Sequence, residues 1–552
     1  MMIEAKVLRQ KEGAFTLPRA LRMYAGDAAG ERGAAVFAAL AQDSGIAAAV
    51  SPDDAVLRFE PDALLRGEAY RLTVTPQGVT AAYGSEAGAR NAAVTLYNGI
   101  EKRGEAYGLP CCEAEDWPDA EFRAVLIDLA RKYHEPQSIK DTLRQMALAK
   151  MNKAIFHLLD TQHYAMHSDA VPELNGGKFR QYTKTQMREL VEYAAFWGIE
   201  AIPDLDLPGH AIHMLDSLPQ LACEVDDDEG GFKPSKWAVC VGAEETYAVA
   251  EKLYQEVYTV FDSGYMQLCG DELAFWDLGY WANWEHCARC KALARREGFP
   301  EKGFTGYFYY FVRRIHDILA RMGKRVILSN DNVDIAVSPD LPRDMLIFWW
   351  RTAAPGRGPV EGCTMKRFAE EGFDLFNSFY EETYIDLYMT GEKLADWNPV
   401  KRPDCPPEYA YRVKGSCLCA WEGQAHFAWS LPSGIAMMGE KLWDYRDRVY
   451  DEAYHQKLTR LLLGPDVPAG LDIFTPLGGC FFPLDGDMPA EKARRGHPDK
   501  VDASMLPRLE ETMAVLRPFA EGGHRESPLA AVYLECLGWM REQLTKPPAD
   551  PA

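Results

Sequence analysis

The sequence predicts an α/β protein: a (β/α)₈ barrel preceded by a small α/β domain and followed by a helical C-terminal extension. Three observations carry this expectation. Eight short, nearly continuous apolar runs between Phe122 and about Gly423 alternate with amphipathic helical patterns, as a parallel barrel buried on both faces requires. Polar residues collect where those runs end. The 552-residue length also leaves room for a flanking unit on each side.

In chain order, residues 1–116 read as the small domain. Tyr70, Leu72 and Val74 alternate with polar residues, Pro76-Gln77-Gly78 turns the chain, and Val79 and Ala81 resume, which predicts a hairpin. A helix follows over about 87–98, with Ala92, Leu96 and Ile100 on one face. Glu115-Asp116-Trp117-Pro118 breaks regular structure and marks the boundary. Residues 117–430 are assigned to the barrel. Its strands are 124–130, 153–159, 200–206, 265–272, 325–331, 345–350, 374–379 and 416–421. Helices are predicted near 138–151, after a Thr183 cap, and over 307–323. Residues 431–552 form the extension, with helices over 442–464 and 504–519 separated by a Pro/Gly-rich loop.

Composition narrows the function classes. Hydrophobic residues make up 47% and charged residues 26%, an ordinary globular balance. Sixty Lys+Arg against 82 Asp+Glu give a formal charge of −22, which repels phosphate backbones and anionic lipid. No nucleic-acid or membrane partner is expected, and no apolar run approaches the ~20 residues of a membrane span. Thirteen scattered cysteines and an N-terminus without an apolar signal core point to reduced thiols and a cytoplasmic location. The expected partner is a small neutral ligand.

Barrel chemistry sits at the C-terminal ends of the strands, where the βα loops surround the mouth. Those ends carry Asp128 and Arg131; Asp160; Asp204, Asp206 and His210; Asp271-Glu272; Asn330-Asp331; Trp349-Trp350-Arg351; Tyr380, Tyr384 and Asp386; and Trp421-Glu422. Arginine, many carboxylates, a histidine and several aromatics suit a sugar, because rings stack on its apolar face while charged groups bond its hydroxyls. A lone Asp at a strand end is more often a helix cap or a solvated loop residue. Eight such ends together are harder to attribute to chance. Trp349 is read as barrel filling, with Trp350 facing the other way.

These motifs resemble glycoside hydrolase family 20, the β-N-acetylhexosaminidases. The likeness runs through YRLTVTPQGVTAAYGSEAGARNAAVTLYNGI, FRAVLIDLARKYHE, MALAKMNKAIFHLLDTQHY and YTKTQMRELVEYAAFWGIEAIPDLDLPGHA. It continues through GDE at 270–272, YID at 384–386 and GSCLCAW at 415–421, in order over roughly residues 60–425. The resemblance implies an exo-acting, retaining enzyme that removes terminal β-linked GlcNAc or GalNAc from a small glycan or glycoconjugate. It implies substrate-assisted catalysis, in which the sugar's 2-acetamido oxygen attacks the anomeric carbon to give an oxazolinium intermediate. Glu272 would then be the acid/base, Asp271 the residue that aims the acetamide, and Tyr384 the donor to the acetamide oxygen. Arg131, Asp160, His210, Trp350, Asp386, Trp421 and Glu422 would bind or support the sugar. No cofactor and no metal are implied.

The chain departs from the family pattern at Gln267, where a His is usual, at Thr161 after Asp160, and at Ser329-Asn330-Asp331, which has no Trp. On the last strand Trp421 is followed by Glu422-Gly423 rather than Trp-x-Glu. These changes bear on sugar specificity more than on the reaction. The alternatives are a catalytically weakened sugar-binding relative and a barrel glycosidase with another specificity. Neighbouring carboxylates disfavour double ionisation, so one of the Asp271-Glu272 pair should have a raised pKa. Cys287-Ala288-Arg289-Cys290 has the look of half a zinc site, but no second pair at ligand spacing follows, and two reduced structural thiols are expected.

Overall fold

The computed structural model describes residues 5–51, 53–225, 234–275, 280–333, 341–354, 358–359, 364–385, 389, 391–402, 405–421, 431–468, 470–479 and 500–545. The N-terminal unit is a mixed sheet covered by two helices, Ala28–Gln42 and Glu86–Asn98. Its strands lie in the spatial order Val7–Leu17, Ala106–Asp116, Tyr70–Thr75, Gly78–Tyr83, Leu57–Pro61, Ala20–Ala25, Ala47–Val50. The expected hairpin is present, closing between Thr75 and Gly78. The second helix starts where Ser85 accepts a hydrogen bond from the Gly88 amide, a side-chain N-cap.

The barrel strands are β1 (Phe122–Asp128), β2 (Lys153–Asp160), β3 (Glu200–Leu205), β4 (Tyr265–Cys269), β5 (Arg325–Ser329), β6 (Leu346–Trp349), β7 (Asp374–Asn377) and β8 (Val413–Ala420). Each pairs in parallel with the next, and β8 closes onto β1 from Gly415↔Phe122 to Ala420↔Ile127. Every predicted strand is found, shifted by a few residues at most. Alternation along each strand splits the apolar residues between two layers. Ala124, Leu126, Ile155, Ile202, Ile327, Phe348, Phe376 and Cys417 fill the barrel interior, with Trp350 and Tyr384 above them. Val125, Ile127, Leu328, Ile347 and Leu375 face the helices. Trp349 belongs to the helix-facing layer, stacked on Phe379 with centroids 5.4 Å apart, so it does not fill the barrel as the sequence suggested. Its neighbour Trp350 is the one that points inward.

Thr183 caps the helix Lys184–Phe196 through a full capping box with Gln186. The C-terminal region differs from expectation in three ways. The predicted helix over 442–464 is the end of one helix, Leu431–Trp443, and the whole of another, Glu452–Leu463. Asp444 ends the first by accepting from Arg446 and Arg448, and Asp451 caps the second. Leu431–Trp443 packs against β1 and β8, in the place of the barrel's eighth helix. Helix Leu506–Glu521 corresponds to the expected one, and Ser527–Thr545 is additional.

One buried polar node joins the N-terminal sheet to the barrel's first and last helices. The Lys150 ammonium, following the barrel's first helix, lies 3.1 Å from Asp116 Oδ2 at the end of the N-terminal sheet, and both side chains are fully buried. Tyr70 and the Trp443 indole N–H also donate to Asp116, at 2.5 and 2.9 Å. No helix among the described residues is long and apolar enough to cross a membrane.

Candidate active site at the barrel mouth

The sequence-predicted residues converge at the C-terminal ends of the strands, and their contacts close a ring. The Glu272 carboxylate lies 3.5 Å from His210 Nε2, and His210 Nδ1 lies 3.3 Å from Asp160 Oδ1. Asp160 pairs with the Arg131 guanidinium at 2.6 Å, and that guanidinium sits 5.1 Å from the centre of the Trp421 ring. Trp421 contacts Tyr384 with centroids 5.9 Å apart, and Tyr384 stacks on Trp350 at 6.0 Å and 9°. The Trp350 indole donates to Asp331 Oδ1 at 3.3 Å, and Asp331 Oδ2 accepts the Glu272 amide at 2.9 Å. All eight barrel strands, through the loops that follow them, contribute. Asp386 and Glu422 lie outside the described residues.

The Asp271-Glu272 pair faces one mouth because the backbone leaves strand geometry just before it. Cys269, Gly270 and Glu272 all have left-handed φ values, 52°, 74° and 51°. Such values are costly for non-glycine residues and cluster at functional sites. They turn two neighbours that an ideal strand would point apart. The Glu272 side chain is 26% exposed toward the mouth. Asp271 Oδ1 is buried and has no hydrogen-bond partner among the described residues. Burial, with added repulsion from Asp331 and Glu272, pushes the Asp271 pKa up to about 7 against the opposing charge of His210. The sequence foresaw one raised carboxyl in the pair. The structure assigns it to Asp271, and desolvation rather than the neighbouring carboxylate is the larger cause.

Behind the mouth lies a charged network that the sequence did not single out. His157, on the inner end of β2, has Nδ1 2.7 Å from Asp204 and Nε2 2.9 Å from Asp160. Burial disfavours its charge, but the two carboxylates override this and hold its pKa well above the usual value. Burial likewise opposes the Asp160 carboxylate, yet Arg131, His210 and His157 hold its pKa well below the ordinary range. Asp128 completes the clamp on Arg131, accepting from its guanidinium at 3.0 Å and from its amide at 2.9 Å. Gln267 donates to Asp204 at 3.4 Å, and the Thr161 hydroxyl donates to Asp160 at 2.9 Å. Trp237, from the long excursion after β3, donates to the Glu272 carbonyl at 2.8 Å and packs against His210, ring centroids 4.3 Å apart. Period-2 burial could have marked His157 as inward-facing, since it shares parity with Ile155. Nothing local marks Trp237.

With this geometry in hand, the profile described as "Glycosyl hydrolase family 20, catalytic domain" matches residues 121–424, and "Glycosyl hydrolase family 20, domain 2" matches residues 5–117. The chain belongs to glycosyl hydrolase family 20. Among curated relatives, the β-hexosaminidase of Vibrio furnissii is 26% identical over 65% of this chain and 59% of its own length. That of Akkermansia muciniphila is 30% identical over 43% of this chain and 50% of its own. The match thus spans less than two thirds of these relatives. A family 20 exo-β-N-acetylglucosaminidase from Vibrio harveyi, solved with N-acetylglucosamine, superposes with a TM-score of 0.72 at 19% identity, covering 84% of this chain and 78% of that one. Flavobacterium johnsoniae chitobiase gives 0.72 at 18% identity over 98% of this chain and 92% of its own. At such identities the likeness establishes the fold. Two of the family departures fall on the supporting network, Gln267 and Thr161, which bond Asp204 and Asp160; Ser329 is buried on β5, and Gly423 is outside the described residues.

Proposed function

We propose that this family 20 protein is an exo-acting retaining β-N-acetylhexosaminidase using substrate-assisted catalysis. The observation that carries the reading is Asp271 Oδ1, a buried acceptor without a partner among the described residues, beside a Glu272 carboxyl that reaches the mouth. A 2-acetamido N–H bonded to Asp271 would satisfy that oxygen and favour its charged form. The acetamide oxygen would then be aimed at the anomeric carbon, and the carboxylate would offset the positive charge of the oxazolinium. Glu272 protonates the leaving oxygen and later takes the proton of the water that opens the ring. Tyr384 donates to the acetamide oxygen, Trp350 and Trp421 wall the N-acetyl group, and Arg131 binds ring hydroxyls.

Magnitudes favour the nucleophile's placement as the larger effect. A tethered nucleophile contributes up to ~7–11 kcal/mol through proximity, whereas general acid catalysis contributes ~10²–10⁴-fold. Asp271 should therefore matter about as much as Glu272. The Vibrio harveyi neighbour's complex with N-acetylglucosamine supports the same substrate class. The test is chromophore release from an aryl β-N-acetylglucosaminide, with the aryl β-glucoside as control and a thiazoline mimic of the oxazolinium as inhibitor. Turnover of the N-acetyl substrate alone, blocked by the thiazoline, is expected. Preference for the glucoside would overturn the mechanism, and binding without turnover would overturn the activity.

A further inference from the structure

Outside the ring at the mouth, four thiols meet between two long excursions of the barrel. Cys223 and Cys240 belong to the chain between β3 and the helix Glu244–Val257, and Cys287 and Cys290 open the helix Ala288–Glu297 after β4. The sequence offered the Cys-x-x-Cys pair alone. Its partners precede it, separated by sixteen residues, a spacing that no local pattern marks.

All four sulfurs lie within 4.8 Å of one another. Cys240 Sγ is 3.5 Å from Cys290 and 3.7 Å from Cys287, and Cys223 Sγ is 3.9 Å from Cys290. These are not disulfide distances, which would be about 2.05 Å. Four sulfurs held about 2.3 Å from a common tetrahedral centre lie about 3.8 Å apart, the observed separation. Cys240, Cys287 and Cys290 are fully buried, and Cys223 partly so. The backbones are matched as well as the side chains. A Cβ on Gly242 would fall 2.6 Å from the Arg289 carbonyl carbon and the Cys290 nitrogen, so the two ligand loops touch main chain to main chain beside the thiols.

We propose that Cys223, Cys240, Cys287 and Cys290 hold a structural Zn²⁺ ion as a tetrahedral tetrathiolate. Soft sulfur ligands in a tetrahedron select zinc among common divalent ions, and four protein ligands leave no open position for substrate. Binding releases the four thiol protons to solvent, so the site weakens as pH falls. The N-terminus of the helix Ala288–Glu297 favours the added negative charge. The ion staples the excursion after β3 to the one after β4. Trp237, three residues before Cys240, is thereby pressed onto the Glu272 carbonyl, and the Ser235 amide and Asn283 side chain bridge the same two segments at 2.9 Å. The ion's presence does not depend on which reaction the mouth performs.

The test uses the full-length chain, purified under reducing conditions and dialysed against metal-free buffer. Elemental analysis should find about one zinc per chain. A mercurial titration of the wild-type protein, followed with a zinc-sensitive dye, should release that zinc as four thiols react. The C287S/C290S double variant should lose the metal. Protein produced in cobalt medium should show thiolate-to-cobalt charge transfer and tetrahedral ligand-field bands. The wild-type titration decides the matter if the double variant does not fold. Absence of stoichiometric zinc in wild-type protein, iron in its place, or two disulfides among these four cysteines would each overturn the assignment. None of these readouts requires hydrolysis, so failure of the hydrolase reading is scored separately.

Discussion

At the residue scale the decisive contrast is between two neighbouring carboxyls. Asp271 Oδ1 is buried and has no hydrogen-bond partner among the described residues, while Glu272 reaches the mouth beside His210. Asp271→Asn and Glu272→Gln should each lower kcat on an aryl N-acetylglucosaminide by about 10²–10⁴-fold, with a smaller effect on KM. Wild-type turnover in either variant would remove that residue's role. The proposed reaction needs Asp271 ionised, and its pKa is raised to about 7. Hence kcat/KM, which reports the free enzyme, should fall as pH drops through about 7. Asp331, itself raised to about 6, is one of the like charges responsible, so Asp331→Asn should shift that acid limb to lower pH in a pH–rate profile. Stability runs the other way. The folded chain holds the Asp271 proton more tightly than the unfolded one, so this contribution is full below about pH 4 and is lost as pH rises through about 7. The pair was legible in the sequence because it ends an apolar run in a familiar motif. Which member is desolvated was not, because Asp206, Asp331 and His210 arrive from other strands.

At the element scale the end of β4 does the positioning. Gly270 has φ 74°, and a Cβ there would meet Leu328 Cδ1 at 3.1 Å. Gly270→Ala should therefore cost about 1–2 kcal/mol in denaturant unfolding, and it should lower kcat by displacing the pair it carries. A stable, fully active alanine variant would show that the left-handed turn is dispensable. The eight strands were legible because burial on both faces makes their apolar runs nearly continuous. The break between Leu431–Trp443 and Glu452–Leu463 was not, since 442–464 keeps a helical pattern across it and only the Asp444 and Asp451 side-chain bonds end the turns. Trp349 was misplaced for a related reason. Parity separates it from Trp350, but parity alone does not say which layer each one enters.

At the scale of the whole molecule, the order of units could be read from composition and pattern, but their mutual docking could not. Lys150 and Asp116 are separated by 34 residues, and nothing local couples them. Breaking a fully buried ion pair costs about 3–5 kcal/mol because one charge is left unanswered. Asp116→Ala should lose about that much stability in equilibrium unfolding, far more than exposed pairs such as Lys401–Asp447, which contribute about 0–1 kcal/mol. A loss below 1 kcal/mol would mean that the node is not a keystone. The same arrangement bears on any attempt to trim this protein to its catalytic half. A barrel excised at Trp117 would lose both Asp116 and Tyr70 from around the Lys150 ammonium and keep only the Trp443 ring against it. Such a fragment should unfold at a lower denaturant concentration than the full-length chain.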